Sequence, residues 1–243
     1  MNTRKKFLVT GIPRSGTTKF MEVLSSYDDI FVPKTREVFN VYIGRGFTEK
    51  MLNDIGSMYD RKNVAKKLFD YGFDRGYTYS GFKTFFHSQF DFSGLLNKNN
   101  PDIIIMQRRN VWKGIGSALR HLMSLDGTDK KFVYTSDNIF VSALISQTLN
   151  SYWRTENFLK DYNVVATVFF EDITANNTDN LINNYFDREI DFNYGYTPIQ
   201  HASDYIENIE ELGDKFCNKL KRNWSHFKNL PEFVLDSLFM DYK

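Results

Sequence analysis

The sequence predicts an α/β fold in which a central parallel sheet carries helices on both faces. Short apolar runs of the strand type alternate along the chain with longer segments of helical periodicity. The run DIIIMQ at 102–107 and the run at 164–170 are largely apolar, which is typical of parallel strands covered on both faces. Regular alternation of strands and helices favours a parallel sheet.

The individual elements follow from local patterns. Helical spacing of Phe20, Val23 and Leu24 indicates a helix directly after the first strand and a glycine-bearing turn. A polar, turn-rich stretch at 126–136 is expected to be a loop. In chain order we expect strands at 6–10, 30–32, 78–84, 102–107 and 164–170, and helices at 17–26, 49–73, 111–125, 137–162 and 178–186.

Length and composition limit the class of protein. The 243 residues fit one domain, 1–243, with a helical C-terminal segment from about 175 to 243. A net charge of +1 gives no electrostatic footprint for nucleic acid. Cys217 is the only cysteine, which excludes an intrachain disulfide and a cysteine-based zinc site. No stretch approaches the roughly 20 apolar residues of a membrane span, and the apolar run Phe7–Val9 is too short for a signal peptide, so we expect a cytoplasmic protein.

The turn after the first strand carries the sequence GIPRSGTT, residues 11–18. In α/β proteins this position binds phosphate, because glycines allow close approach and backbone N–H groups at the helix N-terminus point at the anion. The glycine spacing matches the nucleoside-triphosphatase P-loop, but Thr17 stands at the lysine position. Arg14 instead provides a cation inside the loop.

The string PRSGTT after a strand resembles the 5′-phosphosulfate loop of sulfotransferases that use 3′-phosphoadenosine 5′-phosphosulfate (PAPS). The resemblance implies the P-loop-like sulfotransferase fold and PAPS as the sulfuryl donor. The residues that it assigns to the donor's 5′ end are Pro13, Arg14, Ser15, Gly16, Thr17 and Thr18.

Two later segments extend the resemblance. After the strand at 102–107, Arg109 and Ser117 have the eight-residue separation of the family's 3′-phosphate ligands, although Val111 stands where many relatives have proline. Arginine offers a planar fork of donors that suits phosphate. The segment VFFEDI at 168–173 resembles the family's Tyr-Glu-Asp segment, with Phe170 in the tyrosine position and a supporting role implied.

The general base has two candidates. Glu37, in TREVF after the second strand, resembles the glutamate of relatives that act on carbohydrates. The alternative is His87, because Lys83-Thr84 resembles the Lys-Thr-His string of cytosolic sulfotransferases, here with the histidine displaced by two residues. Lys83 is a further candidate for contact with the sulfonate or the acceptor.

The sequence therefore predicts an enzyme that transfers a sulfuryl group from PAPS to a hydroxyl or amine. The acceptor is expected to be carbohydrate-like, while lipid, peptide tyrosine and small phenol stay open. No histidine has partners at metal-ligand spacing, so no metal site is expected. The alternatives are a P-loop kinase or other nucleotide phosphotransferase, and a non-catalytic nucleotide-binding homologue.

Overall fold

A five-stranded parallel sheet forms the centre of the computed structural model, which describes residues 4–33, 38, 61–85, 92–126, 139–174, 180–192, 202–222 and 230–240. Its strands are β1 Lys5–Gly11, β2 Ile30–Phe31, β3 Tyr79–Lys83, β4 Asp102–Gln107 and β5 Val164–Phe169. Their order across the sheet is β2-β3-β1-β4-β5, with every pair parallel. The predicted α/β class is confirmed.

Helices connect the strands and continue beyond the last one. In the described ranges they are α1 Thr17–Leu24, α2 Arg61–Asp74, α3 Phe92–Asn99, α4 Val111–Asp126, α5 Ile139–Leu159, α6 Phe170–Thr174, α7 Asn180–Tyr185, α8 Ile209–Arg222 and α9 Glu232–Met240, with a 3₁₀ turn at Ala202–Asp204. None of these described helices combines the length and apolarity needed to cross a bilayer.

The predicted elements agree with the structure wherever it describes them, apart from end residues and two short helices. The sequence did not predict α3, because Ser93, Gly94 and its asparagines are poor helix formers. Burial of Leu95 and Leu96 in the core offsets those low propensities. The helix α6 begins at Phe170, where the sequence predicts the last residue of the preceding strand. The predicted loop from 127 onward and the helical stretch 49–60 lie outside the described residues.

Side chains of β1 alternate between two apolar clusters, one on each face of the sheet. Phe7 and Val9 pack with Phe20 of α1 on one face. Leu8 packs with Leu68 of α2 on the other. This alternation follows from the period of two along a strand. It explains why the middle of β1 is apolar on both of its faces.

The C-terminal helix α9 supports α4. Ser237 accepts a hydrogen bond from the backbone N–H of Val111 at 2.8 Å, and Trp112 donates its indole N–H to the carbonyl of Leu238 at 3.4 Å. The first N–H groups of a helix have no partner within the helix, so Ser237 satisfies one that is buried. The C-terminal segment thereby holds the helix that carries Ser117.

The central strand β1 has the strands that come next in the chain on one side of the sheet and the later ones on the other. After β1 the chain runs through β2 and β3 on one side and crosses to β4 and β5 on the other. In open α/β sheets ligands bind beyond the carboxyl ends of the strands at such a reversal of strand order. The loop at 12–16 leaves β1 at this position.

Gly11 fits the crowded end of β1 only because it lacks a side chain. Its φ is 135°, and a Cβ atom there would lie 1.9 Å from the carbonyl oxygen of Met106. That oxygen accepts the N–H of Ile12 at 3.0 Å. The glycine therefore lets the loop begin against β4.

Replacing Gly11 by alanine is expected to lower the free energy of unfolding by about 2–4 kcal/mol, from backbone strain and loss of the Ile12 hydrogen bond. Urea denaturation measures the change. The matched control is Gly76→Ala, since Gly76 also has a positive φ of 87° but has open space around it. Strain alone is expected there, about 1 kcal/mol. Equal losses in the two variants would contradict the role assigned to the Met106 contact.

Candidate functional site

The loop between β1 and α1 is a tight turn with two left-handed residues. Ser15 donates both its hydroxyl and its N–H to the carbonyl of Ile12, at 2.6 and 3.2 Å. Gly16 has a φ of 80° and begins α1 as its N-cap residue. Arg14 has a φ of 68°, a conformation that costs a non-glycine residue roughly 1–2 kcal/mol. The turn brings the loop backbone to the N-terminus of α1, an arrangement suited to an anion.

The side chains of the loop divide into a buried and an exposed set. Ser15 and Thr17 are buried, and Arg14 and Thr18 are exposed. Thr17, at the lysine position of a nucleoside-triphosphatase loop, therefore points into the protein. The loop presents one cation, one hydroxyl and its backbone to a ligand.

Lys83 brings a second cation to this loop from the end of β3. The residue is only 4% exposed, and its ammonium donates to the hydroxyl oxygen of Thr18 at 2.8 Å. The ammonium also lies 5.3 Å from the centre of the Phe85 ring. Lys83 therefore places a buried positive charge directly behind the exposed hydroxyl of Thr18.

Arg14 joins two of the segments that the sequence singled out. Its Nε donates to the hydroxyl oxygen of Ser117 on α4 at 3.3 Å. Ser117 is only 7% exposed, so its hydroxyl lies beside the loop in a largely buried position. The residues predicted for the two ends of one nucleotide are therefore in contact.

Arg109 makes its ion pair away from the loop. Its guanidinium forms a two-pronged pair with Asp172, including a 2.7 Å bond between Nη2 and Oδ2, and lies 4.1 Å from the centre of the Phe169 ring. The hydrogen bond with Asp172 raises the pKa of Arg109 above its ordinary value. Its side chain is 48% exposed, so solvent screens the pair. The structure thus brings Ser117, and not Arg109, to Arg14.

Glu171, just after β5, forms hydrogen bonds with the backbone of the two residues before α4. The carboxylate of Glu171 accepts the backbone N–H of Arg109 at 3.1 Å and that of Asn110 at 3.4 Å. Asn110 in turn caps α4 by accepting the N–H of Lys113 on its side-chain oxygen at 2.8 Å. Glu171 and Asp172 together fix the position of Arg109.

Arg108, which the sequence patterns did not indicate as a site residue, is a buried arginine next to Arg109. It is 1% exposed, and its Nε donates to the carbonyl of Arg14 at 2.6 Å. Period-two alternation could not have separated the two arginines. Arg108 follows the face of Met106 and Arg109 that of Gln107, and both of those residues are buried.

Both base candidates, Glu37 and His87, lie outside the described residues. Val38, which follows Glu37, is buried and donates its N–H to the carbonyl of Lys83 at 3.3 Å. Among the His, Cys, Asp and Glu residues of the described ranges, no three are grouped so that they could hold a metal ion.

The fold is that of a solved sulfotransferase. The chain superimposes on the crystal structure of a sulfotransferase from Alicyclobacillus acidocaldarius with a TM-score of 0.52, over 93% of this chain and 97% of that one. Sequence identity between the two is 16%. No family model and no curated protein sequence matches the chain. The likeness therefore defines an α/β protein with a sulfotransferase-type fold.

Proposed function

We propose that the protein is a PAPS-dependent sulfotransferase that transfers a sulfuryl group to a hydroxyl or amine, with a carbohydrate-like acceptor favoured. The observation that carries this is the presence of two cations at the start of α1. Arg14 belongs to the loop after β1 and hydrogen-bonds to Ser117, and Lys83 reaches Thr18 from the end of β3. Two cations beside a helix N-terminus suit the polyanionic 5′ end of PAPS.

The placement of the lysine favours this function over a P-loop phosphotransferase. In nucleoside-triphosphatases the lysine lies within the loop and reaches the β- and γ-phosphates. Here position 17 holds a buried threonine, and the ammonium of Lys83 reaches Thr18 from a neighbouring strand. In this position the Lys83 ammonium suits a ligand with a phosphate at the loop better than a ligand whose triphosphate extends past the loop.

The 3′-phosphate is assigned to Arg109 and Ser117. An exposed ion pair contributes about 0–1 kcal/mol, so the pair with Asp172 is a weak competitor for Arg109. A phosphate offers the guanidinium two charge-assisted hydrogen bonds in its place. Ser117 then supplies a hydroxyl from α4.

The chemistry requires a base and a stabilised leaving group. PAPS supplies the sulfuryl group, whose bond to the 5′-phosphate oxygen breaks as sulfur bonds to the acceptor oxygen or nitrogen. Glu37 is proposed to take the acceptor's proton, and the next residue, Val38, donates its N–H to the Lys83 carbonyl at the end of β3. His87 is the alternative base. Arg14 and the loop N–H groups stabilise negative charge on the departing phosphate oxygen.

A thermal-shift comparison of PAP, the desulfonated product, with ATP, GTP and AMP tests the proposal directly. A ligand that binds only the folded state stabilises it by about 2.7 kcal/mol at a hundredfold excess over Kd. PAP is expected to give the largest shift. A larger shift with ATP or GTP favours the phosphotransferase alternative. PAP binding without sulfuryl transfer to any acceptor class favours a non-catalytic homologue.

PAP is expected to bind at least about tenfold more tightly than AMP, which lacks the 3′-phosphate. The physical reason is that AMP cannot make the two charge-assisted contacts to the 3′-phosphate, which contribute roughly 1.5–3 kcal/mol each. Competition from Asp172 for Arg109 lowers that contribution. Isothermal titration calorimetry measures the ratio. In Arg109→Ala the preference is expected to shrink towards unity, while the exposed neighbour Lys113→Ala keeps it. Equal affinity of the unmodified protein for the two nucleotides would rule out the 3′-phosphate assignment.

A further inference from the structure

Arg108 is a buried cation directly beneath the loop at 12–16. It follows β4, and β4 lies beside β1, so the residue after one strand meets the loop after the other. Only 1% of the residue is exposed. A ligand on the surface of the loop therefore has no access to the guanidinium, and any role of Arg108 in binding must act through its neighbours.

The contacts of Arg108 extend to three other elements. Its guanidinium carbon lies 4.0 Å from the centre of the Phe170 ring, at the start of α6, and its Nε donates to the Arg14 carbonyl. Its own carbonyl accepts the hydroxyl of Tyr152 on α5 at 2.7 Å. Burial raises the pKa of Tyr152, which keeps that hydroxyl a donor. Phe170 and Tyr152 thus fix the position of Arg108, and Arg108 in turn fixes the carbonyl of Arg14.

The bond to Arg14 has an electrostatic consequence. Arg14 has a positive φ, and its carbonyl is turned inward to a buried donor. A peptide carbonyl is the negative end of its dipole, and the bond to Arg108 keeps that negative end away from the ligand side of the turn. If the carbonyl were released, it could rotate towards a bound phosphate and repel it.

We infer that Arg108 is a positioning residue that locks the phosphate-binding conformation of the loop by anchoring the carbonyl of Arg14. The loop conformation is read from the structure itself. The identity of the ligand, an adenosine 5′-phosphate, rests on the proposed function. Arg108 acts on the 5′ end of the nucleotide, whereas Arg109 is assigned to the 3′ end.

The test uses Arg108→Met, which keeps an apolar stem of similar length and removes the donor. Hydrogen exchange of the backbone amides of residues 12 and 14–17 is measured in the ligand-free protein, and exchange there is expected to quicken by roughly tenfold or more. Affinities for PAP, adenosine 5′-monophosphate and adenosine 3′-monophosphate are measured by calorimetry. Those for the two 5′-phosphates are expected to fall by roughly tenfold or more, and that for the 3′-monophosphate by less than about twofold.

Two further variants make the experiment specific. Arg108→Lys keeps the charge and a donor, so both losses are expected to be smaller than in Arg108→Met; it also carries the test if the methionine variant does not fold. The matched control is Arg75→Met. Arg75 also lies over a ring, at 3.2 Å from the Tyr71 centre, and donates to a carbonyl, but on the exposed end of α2. Loop exchange is expected to be unchanged there.

Unchanged loop exchange in the Arg108 variants would overturn the inference, as would equal affinity losses for all three nucleotides. The first result would show that the loop holds its shape unaided, and the second that the substitution loosens the whole fold. If the unmodified protein binds none of the three, the proposed function fails, and loop exchange alone decides the role of Arg108.

Discussion

Replacing Arg14 by alanine is expected to slow sulfuryl transfer by about 10²-fold or more. Its guanidinium is the exposed cation of the loop, held towards α4 by the hydrogen bond to Ser117. Removing one preorganised donor at the site of developing charge typically costs 10²–10³ in turnover, so a loss of about this size is expected. Alanine retains a Cβ at the same positive φ, which separates the lost charge from a change in backbone strain.

The measurement is transfer of radiolabelled sulfate from PAPS to whichever acceptor supports turnover among a sugar, a phenol, a tyrosine peptide and a lipid headgroup. PAP affinity is expected to fall less than turnover, because the charge on the leaving oxygen is largest in the transition state. Arg120→Ala removes an exposed arginine further along α4 and serves as the control. An Arg14→Ala enzyme with unchanged turnover would show that the loop assignment is wrong.

Local patterns in the sequence were enough to predict the fold. The residues of DIIIMQ at 102–107 form the strand they predicted, because a continuous apolar run is stable only when both of its faces are covered. The helix α3 could not be read in the same way. Its stability comes from packing of Leu95 and Leu96 into the core, and such contacts between distant segments leave little trace in local propensity.

The candidate site was predictable as a set of segments but not as a set of contacts. The phosphate loop lies where the glycine spacing and the strand–helix boundary indicated. The pairings within the site are long-range: Arg14 with Ser117, and Arg109 with Asp172. From the sequence alone, Arg14 and Arg109 could each pair with any of several polar or acidic side chains. Only the three-dimensional arrangement of β1, β4 and β5 selects among them.

Glu37→Gln is expected to abolish transfer while leaving PAP affinity nearly intact. Glutamine keeps the shape and the hydrogen-bonding carbonyl of the side chain but cannot accept the acceptor's proton at neutral pH. General-base catalysis is typically worth 10²–10⁴-fold, so the loss should be plain in the radiolabel assay. The matched variant is His87→Gln, which is expected to change the rate little.

The pH profile distinguishes the two bases independently. A carboxylate with an ordinary pKa of about 4.3 is ionised throughout the neutral range, so the rate stays flat there. An imidazole near about 6.5 gains its proton as the pH falls below 7, and the rate would fall with the neutral fraction. Loss of activity in His87→Gln together with an active Glu37→Gln enzyme would reverse the assignment. Lys83-Thr84 would then anchor a histidine base of the cytosolic type, and a small hydroxylated molecule would become a better acceptor candidate than a polysaccharide.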